Sequence, residues 1–388
     1  MVPGQGQGAL DQIKSIHAEN WFSHLDQYHI LNWKNIGRVK SLLGLVKVMG
    51  LDLKPLVKPS ILQISELANK TVAVDAYNAI YQFLSTIRGP TGELLMNDEG
   101  VTTSHLSGLF YRNINFLINN IKPIYVFDGT PDQLKSREIE RRRQLKESAT
   151  RQYHKALEEG KLEDARKFSQ ATSILTNKMV EESKTILRLL GIPYIHASSE
   201  GEATAAHLTK INLAFTCASQ DYDSILFGAK RLTRNLTISG KRKVPNRNMY
   251  FEVETEMIEL EDVLNRNKLT HEQLIDIGIL IGTDFNPRGV PGVGPKTGLK
   301  LIKEYGKLEN IERIKNELAY IPYKEIREIY LRPKVSNLDN IEFSEPQYEA
   351  VVDYLCRHNS FSLDRVNGYL EKLKKANIQR THSLESWF

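Results

Sequence analysis

Short apolar runs that end close to acidic residues recur along the chain. They occupy residues 71–74, 123–127 and 214–218, and their β-branched and aromatic side chains favour buried strands. Helix-like stretches separate the runs, so we expect an α/β fold with a mainly parallel central sheet and helices on both faces. Parallel strands end at one edge of a sheet, where open α/β sheets bind ligands. The acids expected at that edge are Asp75, Asp128, Asp221 and Asp223.

Two amphipathic helices are predicted from apolar residues at helical spacing. The first begins after Asp75 and leaves Tyr81 and Arg88 off its apolar stripe. The second spans about 104–119, and Arg112 is expected to be free to reach outward from it. Both helices can therefore cover the sheet while offering polar side chains to a ligand.

A basic segment follows Asp128. Residues 135–151 contain seven basic and three acidic side chains, and Lys135, Arg142 and Lys146 recur on one helical face. Such a face suits phosphate contact. A solvated helix with ion pairs between neighbouring turns explains the same charges, and the segment alone does not separate the two interpretations. The charged stretch that continues to about 188 is predicted to be a helical, mobile arch or lid.

Composition narrows the class of protein. The chain has 388 residues with 52 basic and 47 acidic side chains, a modest excess of +5. Cys217 and Cys356 form no disulfide framework or zinc pattern, which fits a reducing environment. No signal sequence and no run near ~18 apolar residues is present. We therefore expect an intracellular protein, cytoplasmic or nucleoid-associated, without a membrane partner.

Two glutamates open an alanine-rich helix near residue 200. Ser199 can cap this helix, and acids at a helix start interact favourably with its dipole. Glu200 and Glu202 therefore have an ordinary structural explanation. In a first turn they can also converge on a common ion, so both interpretations stay open.

A glycine-rich segment, residues 289–299, lies between two predicted helices. It is not a P-loop, because Pro295 separates Gly294 from Lys296. It is not a dinucleotide fingerprint, because no strand pattern precedes it. The tight turn is typical of a helix-hairpin-helix, whose backbone N–H groups hold DNA phosphates without reading sequence.

Several segments, taken together and in order, resemble the flap endonuclease family of the XPG/Rad2 nuclease superfamily, in its archaeal form. The resemblance covers about 49–388, and its motifs lie at residues 74–76, 80–84, 103–106, 125–129, 133–136, 191–194, 200–203 and 282–284. It implies a structure-specific 5′ flap endonuclease with 5′–3′ exonuclease activity. Such an enzyme cuts DNA near single-strand to double-strand junctions in replication, where it processes Okazaki fragments, and in repair.

Two alternatives stay within the superfamily, a junction resolvase and a primarily 5′ exonuclease. A third, from another class, is a non-catalytic DNA-bridging factor on the sliding clamp. All seven carboxylates that the family uses to bind metal are present in this sequence, which argues against this third alternative.

The resemblance implies a site for two Mg²⁺ ions. Its ligands would be Asp75, Asp128, Glu200 and Glu202 for the first ion, and Asp221, Asp223 and Asp284 for the second. Seven converging carboxylates would repel one another without cations, and Mg²⁺ prefers such oxygen ligands. Two ions ~4 Å apart can clamp an in-line phosphoryl displacement. The catalytic set implied is Asp75, Asp128, Glu202, Asp221, Lys135 and Arg142, the last two stabilising transition-state charge.

The resemblance also implies how branched DNA with a 5′ flap is held. Tyr81 would stack near the scissile nucleotide, and the helix-hairpin-helix would hold duplex with K⁺ in its turn. The DNA-contacting set implied is Tyr81, Arg88, Arg112, Glu200, Gly282, Asp284, Gly292 and Gly294. We expect the protein to be a monomer.

The C-terminal tail resembles a motif that docks on the sliding clamp (PCNA). Leu384, Trp387 and Phe388 would fill a hydrophobic pocket. A frayed tail is the alternative, although an exposed Trp-Phe pair is unfavourable unless it binds something. The expected glutamine is replaced by Thr381, and Gln379 lies two residues earlier, which predicts weaker binding.

These features divide the chain into six predicted regions. Residues 1–48 are an atypical N-terminal extension, disordered or loosely helical, with a small docked helical element as the alternative. The resemblance places Gly50 near the metals, so we expect the working polypeptide to begin at Met49. The other regions are a nuclease region at 49–146, the arch and its link at 147–188, an internal nuclease region at 164–306, a helical region at 307–378 and the clamp-binding tail at 379–388.

Overall fold

The computed structural model describes residues 51–89, 92–169, 172–238, 240–243, 250–335, 338 and 341–385. The predictions for residues 1–48, for Met49 and Gly50, and for Trp387 and Phe388 therefore lie outside the described residues.

A seven-stranded sheet forms the centre of the fold. Its strand order is β1-β9-β6-β5-β2-β3-β4, and β7 and β8 form a separate two-stranded sheet. The five strands β2 to β6 pair in parallel, while β9 pairs antiparallel with β6 and with β1. The strands are β1 Ser60–Leu62, β2 Thr71–Asp75, β3 Lys122–Phe127, β4 Tyr194–His196, β5 Thr216–Ala218, β6 Arg231–Arg234, β7 Gly240–Lys243, β8 Tyr250–Val253 and β9 Thr255–Glu259.

Helices connect the strands and form the secondary structure of the described residues after β9. They are α1 Ala76–Thr86, α2 Ser104–Ile118, α3 Ser136–Glu158, α4 Leu162–Ser169, α5 Asn177–Leu189, α6 Gly201–Lys210, α7 Asp223–Leu226, α8 Leu260–Asn267, α9 His271–Ile281, α10 Pro295–Tyr305, α11 Lys315–Leu318, α12 Tyr323–Leu331, α13 Tyr348–Val352 and α14 Leu363–Glu385. Within the described residues, no helix is both long and apolar enough to span a membrane.

Successive residues of the central strands pack into two different hydrophobic cores. On β2, Ala73 belongs to one apolar cluster, and Val72 and Val74 belong to the other. Side chains alternate between the faces of a strand, so the two clusters lie on opposite faces of the sheet. This explains why the central strands read as continuous apolar runs, as is usual in parallel sheets covered on both sides. The predicted α/β fold, with a mainly parallel sheet and helices on both faces, is confirmed.

Several local predictions need correction. The strand expected at 214–218 is limited to Thr216–Ala218. The segment predicted to be a helical arch contains separate helices, since α3 ends at Glu158 and Gly160, at a φ of 67°, precedes α4. A positive φ cannot continue a right-handed helix, and glycine adopts it without steric cost. The strands β1 and β6 to β9 were not predicted, and in β6 and β7 charged residues interrupt any apolar run. Cys217 is fully buried, as expected for a core residue.

Candidate active site

The sheet brings the predicted acids to one edge. Asp75 ends β2, and Asp128 follows the last residue of β3. Asp221 and Asp223 follow β5, which pairs with β2 on the side opposite β3. Because these three strands are parallel neighbours, their carboxyl ends share one edge, as the sequence predicted.

Asp75 does two jobs at the start of α1. Its Oδ1 accepts a hydrogen bond from the Asn78 backbone N–H at 3.0 Å, which caps the helix. Its Oδ2 accepts one from the Ser219 hydroxyl at 3.3 Å. Burial, and then the nearby negative charge of Asp128, raises the pKa of Asp75 to about 8. The helix start therefore holds a carboxylate whose charge is disfavoured.

Asp128 contacts the start of α6. The Gly201 N–H donates to Asp128 Oδ1 at 2.7 Å, and a Cβ on Gly201 would lie only 2.7 Å from the same oxygen. Glycine is therefore favoured there by close approach rather than by backbone conformation, because any larger residue would displace the Asp128 carboxylate. Glu200 takes the N-cap position of α6, and Glu202 lies in its first turn. Both glutamates thus flank the residue that binds Asp128.

Neutral donors hold the remaining acids in place. The Ser219 hydroxyl lies within hydrogen-bond distance of Asp75 and also of Glu202 Oε1, at 3.1 Å. The Asn78 side-chain amide donates to Asp221 Oδ2 at 3.0 Å. Asp223 Oδ1 accepts a 2.6 Å hydrogen bond from the hydroxyl of Tyr330. The sequence did not identify three of these site residues, Ser219, Asn78 and Tyr330.

Burial and mutual repulsion mark these acids as one cluster. Burial is the largest cause of the raised pKa values of Asp128, Glu200, Asp221 and Glu202, and it also raises the pKa of Asp223 to about 7. The charge of Asp284, from the loop after α9, raises the pKa of Asp128, Asp221 and Asp223 further. Asp75, Asp128, Glu200, Glu202, Asp221 and Asp223 therefore each lie close enough to another acid of the cluster for their charge to be disfavoured.

Two cations from the basic segment reach this cluster. Lys135 forms an ion pair with Glu200, and its Nζ lies 3.4 Å from Asp284 Oδ2. Arg142 Nη2 lies 2.6 Å from Asp284 Oδ1, while its Nε donates to Glu138 Oε1 at 2.8 Å. Lys135 is the N-cap of α3 and Arg142 lies two helical turns further on, so one side of this helix points toward the acids.

Lys146 continues the same face of α3 to Tyr81. Its Nζ lies 3.1 Å from the Tyr81 hydroxyl and 4.2 Å from the centre of the ring. The predicted basic face therefore contacts the acids and the aromatic side chain named as a stacking platform. Other charges of this helix pair locally, such as Arg143 with Glu140 at 3.0 Å, as a solvated helix would.

Two predicted arginines are engaged within the protein. The three guanidinium nitrogens of Arg88 donate to Leu84 O, Gly92 O and Ser173 Oγ at 2.8 to 2.9 Å. Arg112 is half-buried and has an interaction partner, so the expectation that it is free to reach outward is wrong.

The predicted helix-hairpin-helix is formed by α9, α10 and the loop between them. Gly282 ends α9 at a φ of 112°, where a Cβ would lie 3.0 Å from Gly289 N and from Pro287 O. Gly294 caps α10, and a Cβ added there or on Gly292 would meet no protein atom within 4 Å among the described residues. The outer side of this turn is therefore open.

The described residues contain no group of three or more Asp, Glu, His or Cys side chains in an arrangement that could hold a metal ion as placed here. The chemistry of the donors nevertheless fits Mg²⁺. All seven candidate ligands are carboxylates, the hard oxygen donors that Mg²⁺ prefers, and their mutual repulsion favours a bound cation. Lys135 and Arg142 supply positive charge to Glu200 and Asp284 in this structure.

Known proteins resemble this chain in sequence and in fold. Models of the XPG N-terminal domain and the XPG I-region match residues 38–149 and 191–284, more than half of the chain, and define an XPG-type protein. Flap endonuclease 1 of Nitrosopumilus maritimus is 55% identical over 340 residues, which cover 88% of this chain and all of the relative. The Saccharolobus solfataricus protein of the same name is 50% identical over 87% of this chain and all of its own. The chain belongs to the flap endonuclease family.

Solved structures agree with this assignment. Flap endonuclease-1 from Methanococcus jannaschii is 37% identical, with a TM-score of 0.67 over 85% of this chain and all of that one. The catalytic core of Rad2, solved in complex with a DNA substrate, is 24% identical with a TM-score of 0.60 over 82% of this chain and 96% of its own. At that identity the likeness to Rad2 shows the fold alone.

Proposed function

We propose that this chain is a Mg²⁺-dependent 5′ flap endonuclease that also has 5′–3′ exonuclease activity. It hydrolyses DNA phosphodiesters near single-strand to double-strand junctions in replication, where it processes Okazaki fragments, and in repair. The observation that carries the proposal is the cluster of seven carboxylates at one sheet edge, with Lys135 and Arg142 beside it. Membership of the flap endonuclease family and the names of the relatives support it.

Two Mg²⁺ ions are the proposed cofactors. Asp75, Asp128, Glu200 and Glu202 would hold one ion, and Asp221, Asp223 and Asp284 the other. When bound, the ions supply an activated water nucleophile and stabilise the leaving oxygen. The carboxylates contribute charge and orientation, which Gly201, Ser219, Asn78 and Tyr330 maintain through hydrogen bonds.

Lys135 and Arg142 act on the scissile phosphate in this proposal. Both side chains already lie against carboxylates at the site, and Glu138 orients the Arg142 guanidinium. An entering phosphodiester brings negative charge to these cations, which can exchange an acid for a phosphate oxygen. Because charge on that oxygen grows in the transition state, fixed cations there lower the barrier.

DNA is held by phosphate contacts and stacking. The Tyr81 ring stacks near the scissile nucleotide, as aromatic side chains do with unpaired bases. The open turn at Gly292 and Gly294 would let a phosphate approach the N-terminus of α10. The backbone of this turn would also hold the proposed K⁺ ion. Glu200, Gly282 and Asp284 complete the contacts near the cut.

Arg88 and Arg112 are proposed as further DNA contacts. Arg88 would exchange its bonds to backbone oxygens for bonds to phosphate. Arg88 lies just after the end of α1, in an isolated bridge with Leu94, and Arg112 lies on α2. Contacts of these cations with phosphates would hold the DNA without reading its sequence.

A substrate comparison tests the reaction. Labelled 5′ flap, fork and four-way junction DNA are incubated with the full chain and Mg²⁺, with Asp221→Ala as the control that binds without cutting. We expect cleavage near the flap junction and little cutting of the four-way junction. Preferred cutting of the four-way junction would indicate a resolvase. Flap binding by both proteins with no Mg²⁺-dependent cutting would indicate a DNA-bridging factor.

The tail is proposed to dock a monomeric enzyme on the sliding clamp through Leu384, Trp387 and Phe388. Deleting residues 384–388 should remove clamp stimulation of cleavage and leave unassisted cleavage intact. The measurement is flap cleavage with and without the clamp. Full stimulation after the deletion would refute the tail assignment.

A further inference from the structure

A tyrosine from the helical second half of the chain contacts the acidic cluster. Tyr330, on α12, donates a 2.6 Å hydrogen bond to Asp223 Oδ1. The tyrosine is fully buried, and the aspartate is 4% exposed. The two residues are 107 positions apart, so the contact is a product of the tertiary fold.

The tyrosine ring contacts two aromatic side chains that lie close in sequence to two of the acids. Its centre lies 4.6 Å from that of Phe227, which directly follows the short helix α7 that Asp223 begins. It lies 5.4 Å from the ring of Phe285, the residue after Asp284. The hydroxyl is therefore fixed relative to the segments that carry both Asp223 and Asp284.

Helix α12 is itself anchored one turn earlier. Arg327 donates from Nε to Asp276 Oδ1 on α9 at 2.7 Å and from Nη1 to Glu309 Oε1 at 2.8 Å. Residues three apart lie on one helix face, so Arg327 and Tyr330 pack toward the same side. This anchor leaves the tyrosine hydroxyl little freedom to follow a moving carboxylate.

We propose that Tyr330 is a positioning residue that sets the orientation of the Asp223 carboxylate for a divalent cation shared with Asp284. The inference rests on the proposed two-metal function. A hydrogen bond to one carboxylate oxygen restricts rotation of the group, which orients the other oxygen before the cation arrives. Partners of this kind commonly change metal affinity 10- to 100-fold when they are removed. A purely structural tyrosine would fill space between Phe227 and Phe285 without affecting the cation.

The test compares two tyrosine-to-phenylalanine substitutions. Tyr330→Phe keeps the packed ring and removes the hydroxyl. Tyr125→Phe is the matched control, because Tyr125 is also fully buried and its hydroxyl bonds only to Asn113 among the described residues, at 3.0 to 3.2 Å. Two quantities are measured, the Mg²⁺ concentration for half-maximal single-turnover flap cleavage and the Mg²⁺ dependence of the melting temperature without DNA.

We expect Tyr330→Phe to need about tenfold more Mg²⁺ in both measurements, with most of the cleavage rate recovered at saturating Mg²⁺. Tyr125→Phe should melt at a lower temperature yet keep the wild-type Mg²⁺ dependence. An unchanged Mg²⁺ requirement in Tyr330→Phe, or an equal shift in both variants, would overturn the proposal.

A double variant keeps the proposal testable if Tyr330→Phe alone does not fold. In an Asp223→Asn background the acid that Tyr330 orients is gone, and one repelling charge with it. Adding Tyr330→Phe there should leave Mg²⁺ binding to the remaining acids unchanged, and a further loss of binding would contradict the inference. If Mg²⁺ neither raises the melting temperature of the wild-type chain nor supports its cleavage, the proposed function fails instead.

Discussion

Two groups of acids in this fold are each contacted by an arginine, and they differ in how directly their charges are paired. In the first, at the sheet edge, Arg142 reaches Asp284 from a side chain that is 38% exposed. In the second, Arg327 is 11% exposed as a side chain and binds both Asp276 and Glu309. The first group has seven carboxylates beside Lys135 and Arg142. In the second, Asp276 and Glu309 are both bound directly to one arginine, and Glu272 lies 3.9 Å from it.

This difference indicates that the Arg327 group serves stability and that the crowded acids at the sheet edge serve function. A buried acid that is paired with a buried arginine helps to fix how helices pack, and Arg327 joins α12 to α9 in this way. Crowded acids with too few cations lower the stability of the folded state, because each raises the pKa of its neighbours. Such a cost is typical of a site that awaits positive charge from outside the chain. The two arginines should therefore fail in different ways when they are removed.

Removing an acid from the crowded group should have the largest effect. Asp223→Asn is expected to abolish cleavage, by a factor of about a thousand or more, because it removes a proposed ligand and not a phosphate contact. Flap binding should stay within a few fold. The same change should raise the melting temperature in a chelator, since it relieves repulsion in the cluster.

Asp262→Asn, an exposed acid in the first turn of α8, serves as the control and should leave rate and melting temperature unchanged. Cleavage by Asp223→Asn at a rate near that of the wild type would show that the site is misassigned.

Removing the buried arginine should mainly affect stability. Arg327→Met leaves Asp276 buried without its partner and is expected to reduce the free energy of unfolding by about 3 kcal/mol. Protonation of Asp276 limits the loss, because burial already raises the pKa of that acid to about 6. Urea unfolding near pH 7.5 measures the effect.

Arg332→Met is the matched control, because Arg332 pairs with Glu328 on the surface at the end of the same helix. It should change the free energy of unfolding by less than about 0.5 kcal/mol. Equal losses for the two variants would show that the Arg327 group is no stronger than a surface pair.

Removing the partly exposed Arg142 should mainly affect the rate of cleavage. Arg142→Ala is expected to slow single-turnover cleavage about a hundredfold while weakening DNA affinity only a few fold, since its proposed role lies in the transition state. Arg143→Ala, one residue away and paired with Glu140, should change neither quantity by more than a few fold. Equal losses of rate and affinity in Arg142→Ala would redefine this residue as a simple phosphate anchor.

The sequence could predict the crowded group because its members follow local patterns. Apolar runs placed Asp75, Asp128 and Asp221 at strand ends, and parallel pairing then brought them together. The partners of these acids follow no such pattern. Ser219 stands two residues from an assigned acid without any signal of its own, and Tyr330 is joined to Asp223 only by tertiary packing.

Side-chain direction and short elements were also beyond the local pattern. Helical spacing left Arg112 off the apolar face, yet packing half-buries it. The strand β6 has the sequence Arg-Leu-Thr-Arg, and only its two central residues, Leu232 and Thr233, are buried. Its pairing with β5 and β9, rather than its own propensity, makes it a strand.

The pH dependence of stability gives the finest test of the comparison, because it sets Asp75 against Asp276. The pKa of Asp75 rises from 3.8 to about 8, and that of Asp276 from 3.8 to about 6. Between 3.8 and the raised pKa the folded protein holds a proton that the unfolded chain has released, so the free energy of unfolding falls as pH rises. That fall ends near pH 6 for Asp276 and near pH 8 for Asp75.

Of these two acids, therefore, we expect only Asp75 to go on lowering the free energy of unfolding as the pH rises from 6 to 8. In a chelator, the stability gained by Asp75→Asn over the wild type should grow by about 1 kcal/mol across this interval, because neighbouring acids share the titration. The stability difference between Asp276→Asn and the wild type should stay flat over the same interval. Urea unfolding at pH 6, 7 and 8 measures both, and saturating Mg²⁺ should remove the slope for Asp75→Asn by neutralising the cluster. A flat difference for Asp75→Asn in chelator would mean that the crowded acids are already neutralised by Lys135 and Arg142, and the contrast between the two groups would then be one of geometry alone.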